Sequence, residues 1–456
     1  MRQAVNRREI LTTTILSASY APTYAARNRG VGTWCGSGNR ACTLRTMPSC
    51  AMLMSLPVLA IAVLVGYIAG TSPAGVSPPL VPGASPLAEV PPWPIFRIAV
   101  GLNEMLRGAA EATTLPKVRV IDLATARFHS QVIHILTKND VFEAVSAAPL
   151  TCSATAAQLK LHEPFLCRLM DAGVTLGLLS KSDGKFATTD MSALLLRDAE
   201  GSLKSLVLMI NNEYQHPAWD AIGTGGSLRT GKSGFEVAHG MPVWDYYAGH
   251  PEAEAEFDGA MTSFTGPATG SILASYAFPP NGTICDVGGS VGGTLKLLLD
   301  HYPTASGIVF DRPTVIERTN EAFAAAGLAA RAKGLAGDFL ADSSLPSGLA
   351  TCDVFILKYI LHDWDDASSR TILKKIKAVA KPGARLAVVE HVLGVSGPFM
   401  ERAKAMMDIN MMASNPSGAK ERSVAEYEAL FAAAGITAPA TLIPMRDILS
   451  IVEVAL

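Results

Sequence analysis

From residue 283 onward, short apolar runs alternate with stretches of helical periodicity, and this alternation restricts the possible folds more than any other feature of the chain. The runs are TICDVG (283–288), SGIVFD (306–311), DVFILK (353–358) and ARLAVVEHV (384–392), with helical patterns near 292–301, 314–326 and 367–380. Continuous apolar strands of this kind need cover on both faces, which a parallel sheet between helices supplies. The pattern therefore predicts a Rossmann-like α/β sheet whose ligands sit at the carboxyl ends of its strands. The closing stretch TLIPMRDILSIVEVAL adds two extended pieces around Arg446-Asp447.

The strand ends carry unusual residues. The first runs into DVGGSVGG (286–293), where small side chains let the backbone turn sharply toward a ligand ahead of a helix N-terminus. A dinucleotide GxGxxG starting at Gly288 would need glycine at 290, where this chain has Ser290. The second strand ends in Asp311, 19 residues after Gly292, a place from which a carboxylate accepts hydrogen bonds from ribose hydroxyls. Beyond the third strand comes YILHDWDD (359–366), with His362 followed by Asp363, Asp365 and Asp366. Asp365 and Asp366 suit the start of the next helix, where carboxylates complement the macrodipole. That leaves His362, and with it Asp363, for chemistry.

The order of motifs is more specific than any one of them. DVGGSVGG, FDRP (310–313), GDFL (337–340), LKYILHDWDD (357–366), VVEHVL (388–393) and NPSGAKERS (415–423) follow one another at regular spacings. Together with residues 235–264 they resemble S-adenosylmethionine-dependent O-methyltransferases of the caffeic acid and hydroxyindole type, over roughly residues 118–456. The resemblance implies S-adenosylmethionine as donor, a small-molecule acceptor, a homodimer and no metal. It implies His362 as the general base, oriented by Glu390 and Glu421. On the donor side it implies Gly288 beside the methionine part, Asp311 at the ribose, Asp338 and Phe339 flanking the adenine, and Lys358 as a further contact. Asp363 would order the donor pocket or cap the turn after it. Met411 and Asn415, in MMDINMMASN (406–415), match acceptor-contacting positions. An imidazole beside a phenol can take its proton as the oxygen attacks, and a carboxylate at the other ring nitrogen fixes the tautomer.

Upstream, residues 118–265 read as a mainly helical module. RVIDLATARFHSQVIHILTKNDVFEAV (119–145) spaces Ile121, Leu123, Phe128, Val132, Ile135 and Leu136 as one amphipathic helix. Two short helices follow, then two short strands around Asp183-Gly184, a hairpin signal. Helix-turn-helix then hairpin is a winged-helix layout, yet its second helix (163–173) offers only Arg168 as a base, beside Glu163 and Asp171. That favours dimerisation or substrate capping over DNA.

Charge agrees. Residues 1–46 hold seven Arg and one acid, and the remaining 410 residues carry 31 basic and 39 acidic side chains. An acidic body is a poor partner for a phosphate backbone, so no nucleic acid is expected.

The Arg-, Ser- and Thr-rich segment 1–46 is transit-like. It precedes a hydrophobic anchor or signal (47–70) whose residues 51–70 are uncharged and long enough to span a bilayer. Three readings stay open: a retained anchor, a cleaved presequence, or an extension seldom translated, with Met47 as an alternative start. Either of the first two implies membrane association or organelle targeting. A Pro-rich linker is expected over 71–117 and the catalytic domain over 266–456. The seven cysteines show no CxxC pair or ligand spacing and read as reduced structural thiols in a reducing compartment.

Rival functions share parts of this pattern. An S- or N-methyltransferase would keep donor and fold, and a thioether acceptor, with no proton to lose, would not need His362. A non-catalytic winged-helix interaction protein would leave the His362, Glu390 and Glu421 set unexplained. A dehydrogenase is disfavoured by Ser290.

Overall fold

The computed structural model describes residues 91–199 and 201–456. The transit-like segment, the anchor or signal, and the linker up to residue 90 lie outside the described residues. Among the described residues no helix is long and apolar enough to cross a membrane.

The first described helix, Trp93–Thr113, corrects the linker reading, which had extended to residue 117. After Pro94 this stretch has no further proline and carries apolar side chains at helical spacing, so nothing stops a helix. It docks on the catalytic half. Both carboxylate oxygens of Glu104 accept the main-chain N–H of Phe399, at 2.9 and 3.1 Å. Arg402 pairs with Glu111 at 2.7 Å, and Arg107 lies 4.0 Å over the Phe399 ring.

The expected long helix over 119–145 is two helices, Pro116–Lys138 and Val141–Ser146, broken where Asp140 adopts φ +52°. Leu136, Val141, Phe142 and Val145 pack with Leu166, Met170 and Phe186 in a core of their own. Farther up the same stripe, Ile121, Leu123 and Phe128 remain 52, 78 and 65% exposed. The described residues leave this part of the stripe uncovered. Helices Cys152–Leu159 and Glu163–Thr175 lead into β2 (Leu179–Ser182) and β3 (Lys185–Thr188), with β1 (Leu150–Thr151) on the far side of β3. The hairpin turns at Asp183-Gly184, both with positive φ, as that dipeptide favours.

The catalytic half contains β4 (Thr283–Val287), β5 (Ser306–Asp311), β6 (Ala332–Ala336), β7 (Val354–Lys358), β8 (Arg385–Glu390), β9 (Val392–Leu393), β10 (Arg422–Ser423), β11 (Thr441–Pro444) and β12 (Ser450–Ala455). Seven of these form one sheet in the order β11-β12-β8-β7-β4-β5-β6, and β9 pairs with β10 separately. β4 to β8 run parallel, while β12 and β11 form an antiparallel edge. Strand order reverses between β4 and β7, which makes the carboxyl ends of those two strands the switch point where such folds bind ligands.

Successive apolar side chains of each strand fill opposite faces of the sheet. Phe310, Phe355, Leu357 and Val388 meet helices Asp366–Val379 and Val424–Ala433 through Ile372, Ile376, Tyr427 and Phe431. Ile284, Val309, Ile356 and Val389 meet helix Gly293–His301 through Leu295, Leu298 and Leu299. Asp365 caps helix Asp366–Val379 by accepting the Ser368 N–H at 2.7 Å, as its position in the sequence suggests.

Two expectations need correction. The domain boundary at 265/266 falls inside the 23-residue helix Pro251–Leu273, whose last turns join the catalytic core through Ala268 and Ile272. The cysteines are not all free thiols: Cys152 pairs with Cys167 and Cys285 with Cys352, with Cα atoms 5.3 and 5.9 Å apart. The second pair joins β4 to Cys352, two positions before β7, so strand adjacency brings together two side chains that lie 67 residues apart.

Candidate active site

The turn after β4 is built around backbone that only small residues tolerate. Gly288 has φ +76°, its N–H bonds the Phe310 carbonyl at 2.7 Å, and a Cβ there would fall 2.3 Å from Ile360 Cδ1. Ser290 also has positive φ, +50°, a conformation disfavoured for a residue with a Cβ. Its N–H donates to Asp311 Oδ2 at 2.8 Å, while Asp311 Oδ1 accepts the Arg312 N–H at 2.7 Å. Burial raises the Asp311 pKa, and those two N–H bonds oppose the rise. The strand-end carboxylate is thus bound into the glycine turn itself. Phe339 lies beside Gly288 and edge-on to Trp364, ring centroids 5.8 Å apart.

Gly288, Asp311 and Phe339 thus come together at this turn, while the other two donor-side candidates make local contacts. The exposed Asp338 accepts the N–H groups of Leu340 and Ala341 at 2.7 and 2.9 Å, so its carboxylate shapes its own loop. Lys358 faces Asp286, a residue the sequence reading passed over. Burial lowers the Lys358 pKa against the pull of Asp286, and burial pushes the Asp286 carboxyl up to about 6 against the pull of Lys358. Asp286 also explains Gly289, where a Cβ would fall 2.7 Å from its carboxyl carbon.

His362 sits in the short 3-10 turn Leu361–Asp363 and is buried. Its Nδ1 lies 2.9 Å from Glu421 Oε1; a carboxylate only accepts, so the ring donates. Glu390, fully buried at the end of β8, serves the loop instead of the ring. It accepts the main-chain N–H groups of Ile360, Leu361 and His362 at 3.0, 2.7 and 3.1 Å, and the Tyr427 hydroxyl at 3.1 Å. Its nearest approach to His362 Nδ1 is 3.9 Å. The expectation that both glutamates orient the ring is corrected: Glu421 holds the ring and Glu390 holds the backbone that carries it. Burial opposes the charged imidazolium, but Glu421, then Glu390 and Asp363, outweigh it, and the His362 pKa is pushed up to about 10. Burial works against the Glu421 charge as well, yet His362 and His391 hold that carboxyl low.

On the far side of the ring, Nε2 lies 3.4 Å from Asp363 Oδ1. Burial raises the Asp363 carboxyl to about 7 despite His362. Asn415 donates its Nδ2–H to the same Asp363 oxygen and lies 3.1 Å from Met411 Sδ. Both expected acceptor-side residues thus reach the site from helix Pro398–Ser414 and its cap. Trp244, from the joining segment, lies 6.5 Å from Trp364 and brings the helical module to the same rim.

Two further residues escaped the sequence reading. Tyr359, at φ +57°, stacks on His362 with centroids 5.4 Å apart. His391 lies 3.0 Å from Glu421 Oε1 through its Nδ1. Neighbouring residues on a strand point to opposite faces, which hides a Glu390-His391 pair from pattern reading. Here β8 ends at Glu390, so both side chains can serve the site.

A glycine turn and strand-end carboxylate at a switch point, beside a buried histidine held by a glutamate, define a transferase working from a nucleoside-bearing donor. Known proteins agree with that class. An O-methyltransferase domain profile matches residues 223–437, and an O-methyltransferase dimerisation domain profile matches 121–198. The chain is 31% identical to mitomycin biosynthesis 6-O-methyltransferase of Streptomyces lavendulae, over 72% of this chain and 90% of that protein. It is also 31% identical to the phenazine O-methyltransferase PhzM of Lysobacter antibioticus, over 73% and 94%. The solved O-methyltransferase NcsB1, in complex with S-adenosylmethionine and 2-hydroxy-5-methyl naphthoic acid, superposes with a TM-score of 0.63 at 28% identity, over 75% of this chain and 100% of that one. The chain belongs to the S-adenosylmethionine-dependent O-methyltransferase family, and S-adenosylmethionine is its methyl donor.

Proposed function

We propose that this enzyme methylates a hydroxyl of a small aromatic acceptor, with His362 taking the hydroxyl proton as the oxygen attacks. The observation that carries this reading is the buried 2.9 Å bond from His362 Nδ1 to Glu421, which commits one ring nitrogen and leaves Nε2 on the side of Asp363, Met411 and Asn415. A phenol titrates near pH ~10, so a histidine held near that value exchanges its proton with little cost in either direction. The relatives named for phenazine and mitomycin, and the naphthoic acid held by NcsB1, support an aromatic acceptor.

Bound S-adenosylmethionine supplies an electrophilic methyl group, and the residues here fit such a donor: the Gly288 turn has no room for a side chain, and Asp311 is a strand-end carboxylate. Gly288 and Asp311 would bind it, and Phe339 would pack on it. Lys358 would act through Asp286, and Asp338 through the loop it shapes. Glu421 fixes the His362 tautomer and Glu390 the position of its loop, so both support the base without touching the acceptor. Met411 and Asn415 would bound the acceptor. The exposed stripe of Ile121, Leu123 and Phe128, within the dimerisation match, would be covered by a second copy. Residues 51–70 keep their reading as a membrane anchor or targeting signal, to be tested by fractionating cells that express the chain with and without them.

The test of the chemistry is His362→Ala, assayed by methyl transfer to a panel of phenolic and thioether acceptors. A hydroxyl acceptor predicts a loss of roughly 10²- to 10⁴-fold. A small loss, or transfer to a thioether alone, would replace this reading with the S-methyl one.

A further inference from the structure

Glu421 holds two histidines with one oxygen. His362 Nδ1 and His391 Nδ1 lie 2.9 and 3.0 Å from its Oε1, while Oε2 is buried and meets no donor among the described residues. Strand pairing sets this up. β9 and β10 run parallel with Val392 opposite Arg422, so the residues just before them, His391 and Glu421, come side by side. The Lys420 N–H bonds the His362 carbonyl at 3.0 Å, which ties the same strand to the His362 turn. All three side chains are buried.

We propose that His391 is a positioning residue for this site: its Nδ1–H bond to Glu421 Oε1 limits how tightly that carboxylate holds the His362 ring. The inference rests on the reading of His362 as the base. A carboxylate oxygen shared by two donors offers each a weaker hydrogen bond than it would offer one alone. Held by an unshared buried carboxylate, His362 would stay an imidazolium to higher pH, with Nε2 already protonated and unable to take the acceptor's proton. His391 draws off part of that charge. It touches neither donor nor acceptor in this role, and it acts through Glu421.

The other groups around His362 are fixed by separate elements. Glu390 approaches from β8 and is bonded by Tyr427. Asp363 lies on the turn itself, and Tyr359 stacks on the ring from the end of β7. Asp408, on helix Pro398–Ser414, accepts the Glu421 N–H, and Asp447 lies beyond His391 between β11 and β12. None of these hydrogen bonds runs through His391, but its ring also lies 5.4 Å from that of Tyr359 and faces Asp447, so the variant that keeps a donor there is the control that isolates the bond to Glu421.

The experiment is a pH titration of the full chain carrying ¹³Cε1-labelled histidine, followed by NMR, with the nine histidines assigned by substitution. His391→Leu removes the donor, so the His362 titration moves up by roughly one pH unit. His391→Asn places an amide N–H where Nδ1–H was, and the titration returns to within roughly 0.3 of the wild-type value. An unmoved or lowered midpoint in His391→Leu would overturn the proposal, as would equal behaviour of the two variants. If His391→Leu does not fold, the wild-type ¹⁵N spectrum decides: the Nδ1–H tautomer of His391 supports the proposal, and the Nε2–H tautomer sinks it. Neither readout depends on turnover. Failure of the methyltransferase reading would appear elsewhere, as no binding of S-adenosylhomocysteine.

Discussion

Glu390 grips the main chain of His362 and leaves its ring alone: the carboxylate accepts the His362 N–H at 3.1 Å, while ring Nδ1 stays 3.9 Å away. The same carboxylate takes two more N–H groups and the Tyr427 hydroxyl, so a single buried side chain closes the turn that carries His362.

Glu390→Ala should therefore act on folding before it acts on chemistry. Three buried N–H groups would lose their acceptor, at a cost of about 3 kcal/mol or more. Tyr427→Phe removes one charge-assisted bond and should cost about 1.5–3 kcal/mol. Urea unfolding of the two variants should rank them in that order, with S-adenosylhomocysteine affinity little changed in Tyr427→Phe.

Glu421→Gln keeps the shape of the site and removes the charge that holds the His362 proton. The His362 titration should fall toward its ordinary 6.5, and the acid limb of kcat/KM should move to lower pH with it. The plateau should drop by roughly 10²-fold, because the imidazolium formed as the proton transfers loses its partner. A pH–rate profile for methyl transfer checks both; an unmoved acid limb would show that Glu421 does not govern the base.

Stability should be greatest in mildly acidic solution. His362 holds its proton to about 10 against 6.5 when unfolded, so its stabilisation is complete below 6.5 and is lost as pH rises toward 10. Asp363, raised from 3.8 to about 7, contributes fully below 3.8 and loses that contribution as pH climbs from there to about 7. Glu421, lowered from 4.5, does the reverse and loses its contribution as pH falls below 4.5. Calorimetry across pH 3–10 should place the highest Tm at about pH 4, between the unfolded values of Asp363 and Glu421. His362→Asn should flatten the alkaline side.

The glycine turn separates two kinds of substitution. Gly288→Ala forces a Cβ to 2.3 Å from Ile360 at φ +76° and should abolish S-adenosylhomocysteine binding by calorimetry. Ser290→Gly relieves a side chain at φ +50°, so it should leave that binding intact and change stability by no more than about 1 kcal/mol.

Much of this was legible in the sequence. Apolar runs with nearly no polar residues declared β4, β5, β7 and β8, and the order of motifs placed His362, Glu421, Gly288 and Asp311 where they meet. What escaped has physical reasons. β6, AKGLA, is an edge strand held by its pairing with β5, and its composition carries no β signal. Asp338 and Glu390 are in the expected places, but which hydrogen bonds a carboxylate makes depends on the backbone around it. His391 depends on the break between β8 and β9. Ile121, Leu123 and Phe128 gave a true amphipathic signal, and the described residues do not cover it.

The contact between Glu104 and Phe399 reaches beyond packing. The first turn of helix Pro398–Ser414 has no side-chain cap at Gly397, and the acceptor for its leading N–H comes from a helix 295 residues earlier in the chain. The dimerisation profile begins at residue 121, after that helix. A chain trimmed to residue 121 would lose the acceptor for the first N–H of the helix that carries Met411, so the order of that helix reaches back to a segment outside the matched profile.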